Sequence, residues 1–191
     1  MDRTGELAAA ALRIVTAQGL PAVTFRAVAA ESGWSLGAVQ KTFRTKDDLI
    51  RATLEHAQAA VNERLSVDPG RPTLRAWLVD LVMATLPLDD ARRSACLVSV
   101  AVADRAPFDN TLALSLAASD AELRGKLALL AGRARQEGEL DPAVQGDSLA
   151  RAVLAFAAGL AGQLLYDPVD EADVVVLVRN TMTALTPAPP R

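Results

Sequence analysis

Gln40, Lys41, Arg44 and Lys46 fall within seven residues of one another, and no carboxylate stands among them. Ammonium and guanidinium groups neutralise phosphates, and an amide can bond either a base edge or a phosphate, so this set suits a polyanion. From Thr24 to Lys46 there are four cations (Arg26, Lys41, Arg44, Lys46) and one anion, Glu31, in a chain of net charge −3. Phosphate attraction is screened beyond roughly 8–10 Å at physiological salt, so the local sign outweighs the total. A basic end on an acidic body suits sequence-specific binding to double-stranded DNA better than nonspecific coating.

Other chemistries find little support. His56 is the single histidine and lies beside Glu55; Cys96 is the single cysteine, in the apolar run Ala95-Cys96-Leu97-Val98. One of each makes no nitrogen-sulfur metal cluster, no cysteine-histidine dyad and no internal disulfide. Cys96 reads as a small buried side chain. The carboxylates of Asp89-Asp90 and Asp170-Glu171 stand at expected helix starts, where the helix dipole accounts for them. No glycine-rich phosphate loop or dinucleotide fingerprint occurs. The expectation is a protein without metal or cofactor, and not an enzyme.

The elements that must carry the basic set are short helices. Thr24 can cap a helix with Phe25, Val28 and Ala29 on one face, and Ser32-Gly33 can end it, glycine taking the left-handed turn without a Cβ clash. Ser35 then caps a second helix from Leu36 to about Phe43, with Leu36, Val39 and Phe43 inward and Gly37, Ala38, Gln40 and Lys41 outward. Helix, tight turn and capped helix make a helix-turn-helix, whose second helix enters the major groove. An amphipathic helix, Glu6 to Gln18, precedes it. Thr45 caps the helix that follows, with Asp47 and Asp48 at its positive end.

In ordered agreement over about 45 residues the chain resembles the tetracycline-repressor (TetR) family of transcriptional regulators. The carrying segments are Thr24-Phe25-Arg26-x-Val28-Ala29, Gly33-Trp34-Ser35-Leu36-Gly37-Ala38-Val39 and Phe43-Arg44-Thr45-Lys46-Asp47-Asp48-Leu49. Gln40 stands where the family usually has a phosphate-contacting tyrosine, and Trp34 where it has a small aliphatic residue. The resemblance implies a DNA-binding segment, residues 1–47, with contacts from Thr24, Arg26, Ser35, Leu36, Gly37, Ala38, Gln40, Lys41, Arg44, Thr45 and Lys46. It implies a second segment, 48–191, for dimerisation and binding of a small-molecule effector. Leu86-Pro87-Leu88-Asp89, Gly138-Glu139-Leu140 and the helix before Asp167-Pro168 resemble the BetI-type subgroup.

Composition supports an all-α fold: 51% of residues are hydrophobic and only 4% aromatic, which suits close helix packing. Nine helices are expected, four before Ser66–Pro72 and five after, the long one from Phe108 to Glu137 bending at Ser119-Asp120. The tail from Thr186 is expected to be disordered. The most apolar stretch, Leu149 to Leu165, holds Arg151 and Gln163 and falls short of a membrane span, so a cytoplasmic protein is expected.

On the last two helices Leu149, Val153, Phe156, Leu160 and Leu164 form one stripe, with Ala155, Gly159 and Gly162 near another; Val174, Leu177, Val178, Thr181 and Leu185 follow. The main stripe either completes the chain's own core or meets a symmetry mate. The resemblance implies the latter, a homodimer on a palindromic operator. Trp77, Leu81, Met83, Phe108, Leu112 and Phe156 are the candidates for lining an effector pocket, and Arg75, Arg92, Arg93 and Asp104 read as solvated.

Overall fold

The computed structural model describes residues 2–65 and 73–189, the side chains of 60–65 excepted. Among the described residues all regular structure is helical: α1 (Arg3–Gln18), α2 (Phe25–Ser32), α3 (Leu36–Thr42), α4 (Lys46–Leu65), α5 (Leu74–Thr85), α6 (Asp90–Arg105), α7 (Asn110–Gln136), α8 (Gly146–Tyr166) and α9 (Glu171–Leu185). Short 3-10 turns, Leu20–Ala22 and Ala106–Phe108, follow α1 and α6. The expected break at Ser66–Pro72 lies outside the described residues, as do the side chains of Val61 and Leu65.

Capping residues set the helix starts. Thr24, Ser35, Thr73 and Asp89 each accept a backbone N–H three residues on, from Ala27, Ala38, Ala76 and Arg92, at 3.1, 3.2, 3.2 and 2.8 Å. The first helix begins earlier than expected, because Asp2 accepts from the Gly5 N–H at 2.9 Å and so caps a helix from Arg3. α7 runs unbroken past Ser119-Asp120.

The chain divides into two compact units, Met1–Glu63 with Pro87–Leu116 and Arg64–Leu86 with Ala117–Arg191. In the first, α1 packs on α2, α3 and α6. Leu7, Ile14 and Val15 of α1 bury against Val28, Val39, Phe43, Leu49 and Ile50, and Val98, Val102 and Leu112 complete that core. Each large side chain so buried contributes about 1.5–3 kcal/mol, which holds the short α2 and α3 in place. This unit therefore reaches past residue 47, since α4, α6 and the start of α7 close its core. Arg105 ties the end of α6 to the start of α4, reaching Asp47 at 2.9 Å and Asp109 at 2.8 Å.

In the second unit α5 packs on α8 and α9, and α8 on α9. Gly146 packs closely at the start of α8, where a Cβ would lie 3.3 Å from the Ala128 Cα and carbonyl oxygen. The first two residues after α9 are anchored, contrary to expectation: Thr186 is buried, and Arg75 donates to its carbonyl at 2.6 Å and its hydroxyl at 3.0 Å. The Pro187 carbonyl then accepts from the Asp141 N–H at 2.9 Å. Arg75 is thus a structural clasp where a solvated side chain was expected. α8 also corrects a length estimate. At 21 residues it is long and apolar enough to cross a membrane, but its Leu149, Val153, Leu160 and Leu164 are buried inside this unit.

Candidate nucleic-acid interface

The first unit displays nearly all of the expected DNA-contacting residues together. Thr24, Arg26, Ser35, Gly37, Gln40, Lys41, Arg44, Thr45 and Lys46 are exposed, whereas Leu36 and Ala38 are half-buried, Leu36 against the core. The α2–α3 turn is made by Gly33 in the left-handed region at φ 76°, and a Cβ there would meet nothing within 4 Å. Conformation, not space, requires glycine at this position. Thr24, Phe25, Arg26, Leu36, Gln40 and Lys46 line a shallow depression of about 410 Å³, so polar groups from the starts of α2 and α4 and from α3 converge on one concave surface.

Ion pairing separates this surface from the rest of the unit. Arg13 pairs with Glu31 at 2.6 Å, Arg92 with Asp89 at 3.0 Å, Arg105 with Asp47 and Asp109, and Arg51 with Asp48. Arg26, Lys41, Arg44 and Lys46 have no carboxylate partner among the described residues. Their charge is available to an external anion. The hydroxyls of Thr24 and Ser35 accept their capping bonds and donate to no described residue, so each keeps a hydrogen for a phosphate oxygen.

Asp48 closes a reciprocal cap at the start of α4: its N–H donates to the Thr45 hydroxyl at 3.1 Å, and its carboxylate accepts the Thr45 N–H at 3.0 Å. Hydrogen bonds, first from the Thr45 side chain and then from its backbone, hold the Asp48 carboxyl below its ordinary range, with Arg51 adding to the effect. Trp34, in the turn, binds back to α1. Its indole N–H donates to Glu6 Oε2 at 3.0 Å, and the Arg3 guanidinium lies 5.0 Å from its ring centroid. The sequence marks Trp34 as a departure from the family pattern and assigns no role to it or to Arg3.

The remaining expectations are redistributed. Phe108 is 91% exposed on the 3-10 turn and lines no interior pocket in this conformation; Leu112 sits in the core of the first unit. Leu81 is buried and Trp77, Met83 and Phe156 are half-buried, all in the second unit. The face expected to be shared between protomers is turned inward. Leu149, Val153, Leu160, Leu164, Val174 and Val178 are buried within the chain's own unit, while Phe156, Thr181 and Leu185 are half-buried. Leu177 alone of that set is exposed, at 45%. The second stripe of α8, Ala155 and Gly159, is the outward one.

His56 is half-buried in a groove of about 420 Å³ with Leu12, Ala57, Ala91 and Ser94. Among the described residues no group of His, Cys, Asp or Glu is placed to hold a metal ion. Burial pushes the Cys96 thiol up to about 11, against the opposing charge of Arg92 and Arg93, so its reactive thiolate is scarce at neutral pH.

Comparison with known proteins agrees with this geometry. Residues 7–53 match the description "Bacterial regulatory proteins, tetR family", and residues 72–187 match "BetI-type transcriptional repressor, C-terminal". The HTH-type nicotine-responsive transcriptional repressor HdnoR of Paenarthrobacter nicotinovorans is 29% identical over 174 residues, which cover 89% of this chain and 87% of that one. A transcriptional regulator from Rhodococcus sp. Rha1 superposes with a TM-score of 0.80 at 26% identity, over 99% of this chain and 100% of its own. A regulator from Saccharomonospora viridis, solved in complex with choline, gives 0.78 at 19% identity, over 95% and 93%. The matched stretches take in the helix-turn-helix and nearly all of the second unit, and the chain belongs to the tetR family of transcriptional regulators, not to the enzymes.

Proposed function

We propose that this regulator is a cytoplasmic repressor that binds a palindromic operator as a homodimer and leaves it when a small apolar or amphipathic effector binds. The observation that carries the reading is the set of unpartnered cations Arg26, Lys41, Arg44 and Lys46 around the exposed face of α3, in a unit whose other arginines include four paired with carboxylates. Gln40 bonds a phosphate or an adenine from the same face. In functional terms residues 1–47 read DNA, and 48–191 carry the effector and dimer sites.

The outward stripe of α8 and α9 supports the dimer. Gly159 is exposed and a Cβ on it would meet nothing within 4 Å, while Val176 and Leu177 expose 57% and 45% of their surface. Small residues beside exposed aliphatic ones let two copies approach closely across a two-fold axis. Trp77, Leu81, Met83 and Phe156 support an effector site in the second unit. The Trp77 indole N–H has no partner among the described residues and can anchor a polar atom of the effector. The nicotine response of HdnoR fits an effector of that size and polarity.

The test is a gel shift with DNA from upstream of the protein's own gene, repeated across salt concentration. Repression by phosphate-anchored binding requires a steep loss of affinity with salt. Absent or salt-insensitive binding would reject it. Comparing Gln40→Ala on operator variants separates base reading from phosphate contact: a uniform loss across sequences means phosphate.

A further inference from the structure

We infer that Arg3 is a fifth phosphate-binding cation and that Trp34 is the positioning residue that holds it beside the recognition helix. The inference rests on the DNA-binding reading above and extends it to a part of the chain outside the helix-turn-helix.

Trp34 stands between the residue that ends α2, Gly33, and the one that caps α3, Ser35. Whatever it holds is therefore close to the start of α3. What it holds is the first turn of α1. Arg3 and Glu6 are three apart on α1 and share a face, the spacing at which an arginine and a glutamate ordinarily pair. Here they do not pair; the indole takes both. Its N–H edge donates to the Glu6 carboxylate at 3.0 Å, and its ring faces the Arg3 guanidinium with 5.0 Å to the centroid. That is the geometry of a cation held over an aromatic face, and among the described residues it leaves the guanidinium donors unused.

Arg3 is exposed and has no carboxylate partner among the described residues, as with Arg26, Lys41, Arg44 and Lys46. Asp2, the nearest other acid in the chain, is occupied as the α1 cap. A pure structural tie between α1 and the turn would be served by Glu6 and the indole N–H alone. The stacked and unpaired Arg3 adds a charge at the rim of the DNA-facing surface. A small aliphatic residue at position 34 could neither bind Glu6 nor carry Arg3.

The experiment is fluorescence anisotropy of the full chain on its upstream DNA from about 50 to 200 mM salt. Arg3→Ala should make the slope of log affinity against log salt shallower by about 0.9 per bound protomer, which is about eightfold in affinity per protomer near 0.1 M. Trp34→Ala should reproduce that slope although Arg3 is present, and the double variant should be no shallower than either single one. Trp34→Phe keeps a ring but frees Glu6 to pair with Arg3, so it should retain the wild-type slope only when combined with Glu6→Gln. Arg3→Ala removes an exposed side chain, so its result stands even if Trp34→Ala fails to fold. Steep wild-type binding with an unchanged Arg3→Ala slope overturns the inference alone. No salt-dependent binding by the wild type overturns the DNA reading, and this inference with it.

Discussion

Gly37 and Gly33 are four residues apart on the same motif, and replacing each with alanine should have opposite effects on the fold. A Cβ at Gly37 would meet nothing within 4 Å, and the backbone there is ordinary helix in the first turn of α3. Alanine removes the entropic cost of glycine, which near a helix end is about 0.5 kcal/mol of added stability. For a chain of this size that is a rise of about 1–2 °C in melting temperature. A Cβ at Gly33 also meets nothing, but its φ of 76° costs an L-residue about 1–2 kcal/mol, so Gly33→Ala should melt earlier by about 2–8 °C. DNA binding should not follow stability. Gly37→Leu projects a side chain from the outward face of α3 and lifts the helix from the groove. Every phosphate that a cation then fails to reach weakens binding about eightfold near 0.1 M salt. Circular dichroism melts and anisotropy on the same preparations supply both readouts. A Gly37→Leu protein that melts normally and binds its DNA as tightly as wild type would refute the assignment of this face to DNA; a destabilised Gly37→Ala would show that the glycine serves packing.

The Asp48 carboxyl is held below its ordinary value in the folded state, so its contribution to stability is present above the unfolded value, about 3.9, and is lost as pH falls through the folded one. Asp48→Asn should therefore unfold more easily than wild type at pH 7 but match it in strong acid, and Thr45→Ala, which removes the other half of the cap, should cost about 1 kcal/mol in urea unfolding at pH 7. On the second unit, Leu160→Ala should destabilise by about 2–5 kcal/mol because the side chain is buried, whereas Leu177→Asp should keep its helical circular dichroism and give a monomer in sedimentation; a Leu177→Asp dimer would move the interface elsewhere.

The helix-turn-helix was legible in the sequence because its boundaries are local. Thr24, Ser35 and Gly33 act on N–H groups or torsions within three residues of themselves, and all three do so in the structure. The Arg3–Trp34–Glu6 cluster was not legible, since it joins positions 28 or more apart and only the packing of α1 on α2 and α3 brings them together. The facing of α8 failed for a different reason. Its periodicity correctly grouped Leu149, Val153, Leu160 and Leu164 on one stripe, but a helix apolar on two sides does not declare which side its own chain covers. The leucine and valine stripe went inward, against α5 and α9, and Ala155, Ala158 and Gly159 were left outside. The start of the tail departs from expectation because its proline-rich composition hides Thr186, whose anchor, Arg75, is 111 residues away.

The distribution of partners across the first unit is what gives the basic surface its meaning. Exposed ion pairs contribute little to stability, so the fold alone has small reason to pair one arginine and leave another free. Yet the acids around this surface are occupied: Glu31 by Arg13, Asp47 by Arg105, Asp48 by Arg51 and the Thr45 N–H, Glu6 by the Trp34 indole, and Asp2 by the Gly5 N–H. The first turns of α2 and α3 carry no acid, and hydroxyls cap both helices where an aspartate would complement the dipole more strongly. An aspartate there would repel phosphate. The arrangement withdraws negative charge into local contacts and leaves Arg26, Lys41, Arg44 and Lys46 uncompensated, which stability does not require and an incoming polyanion does.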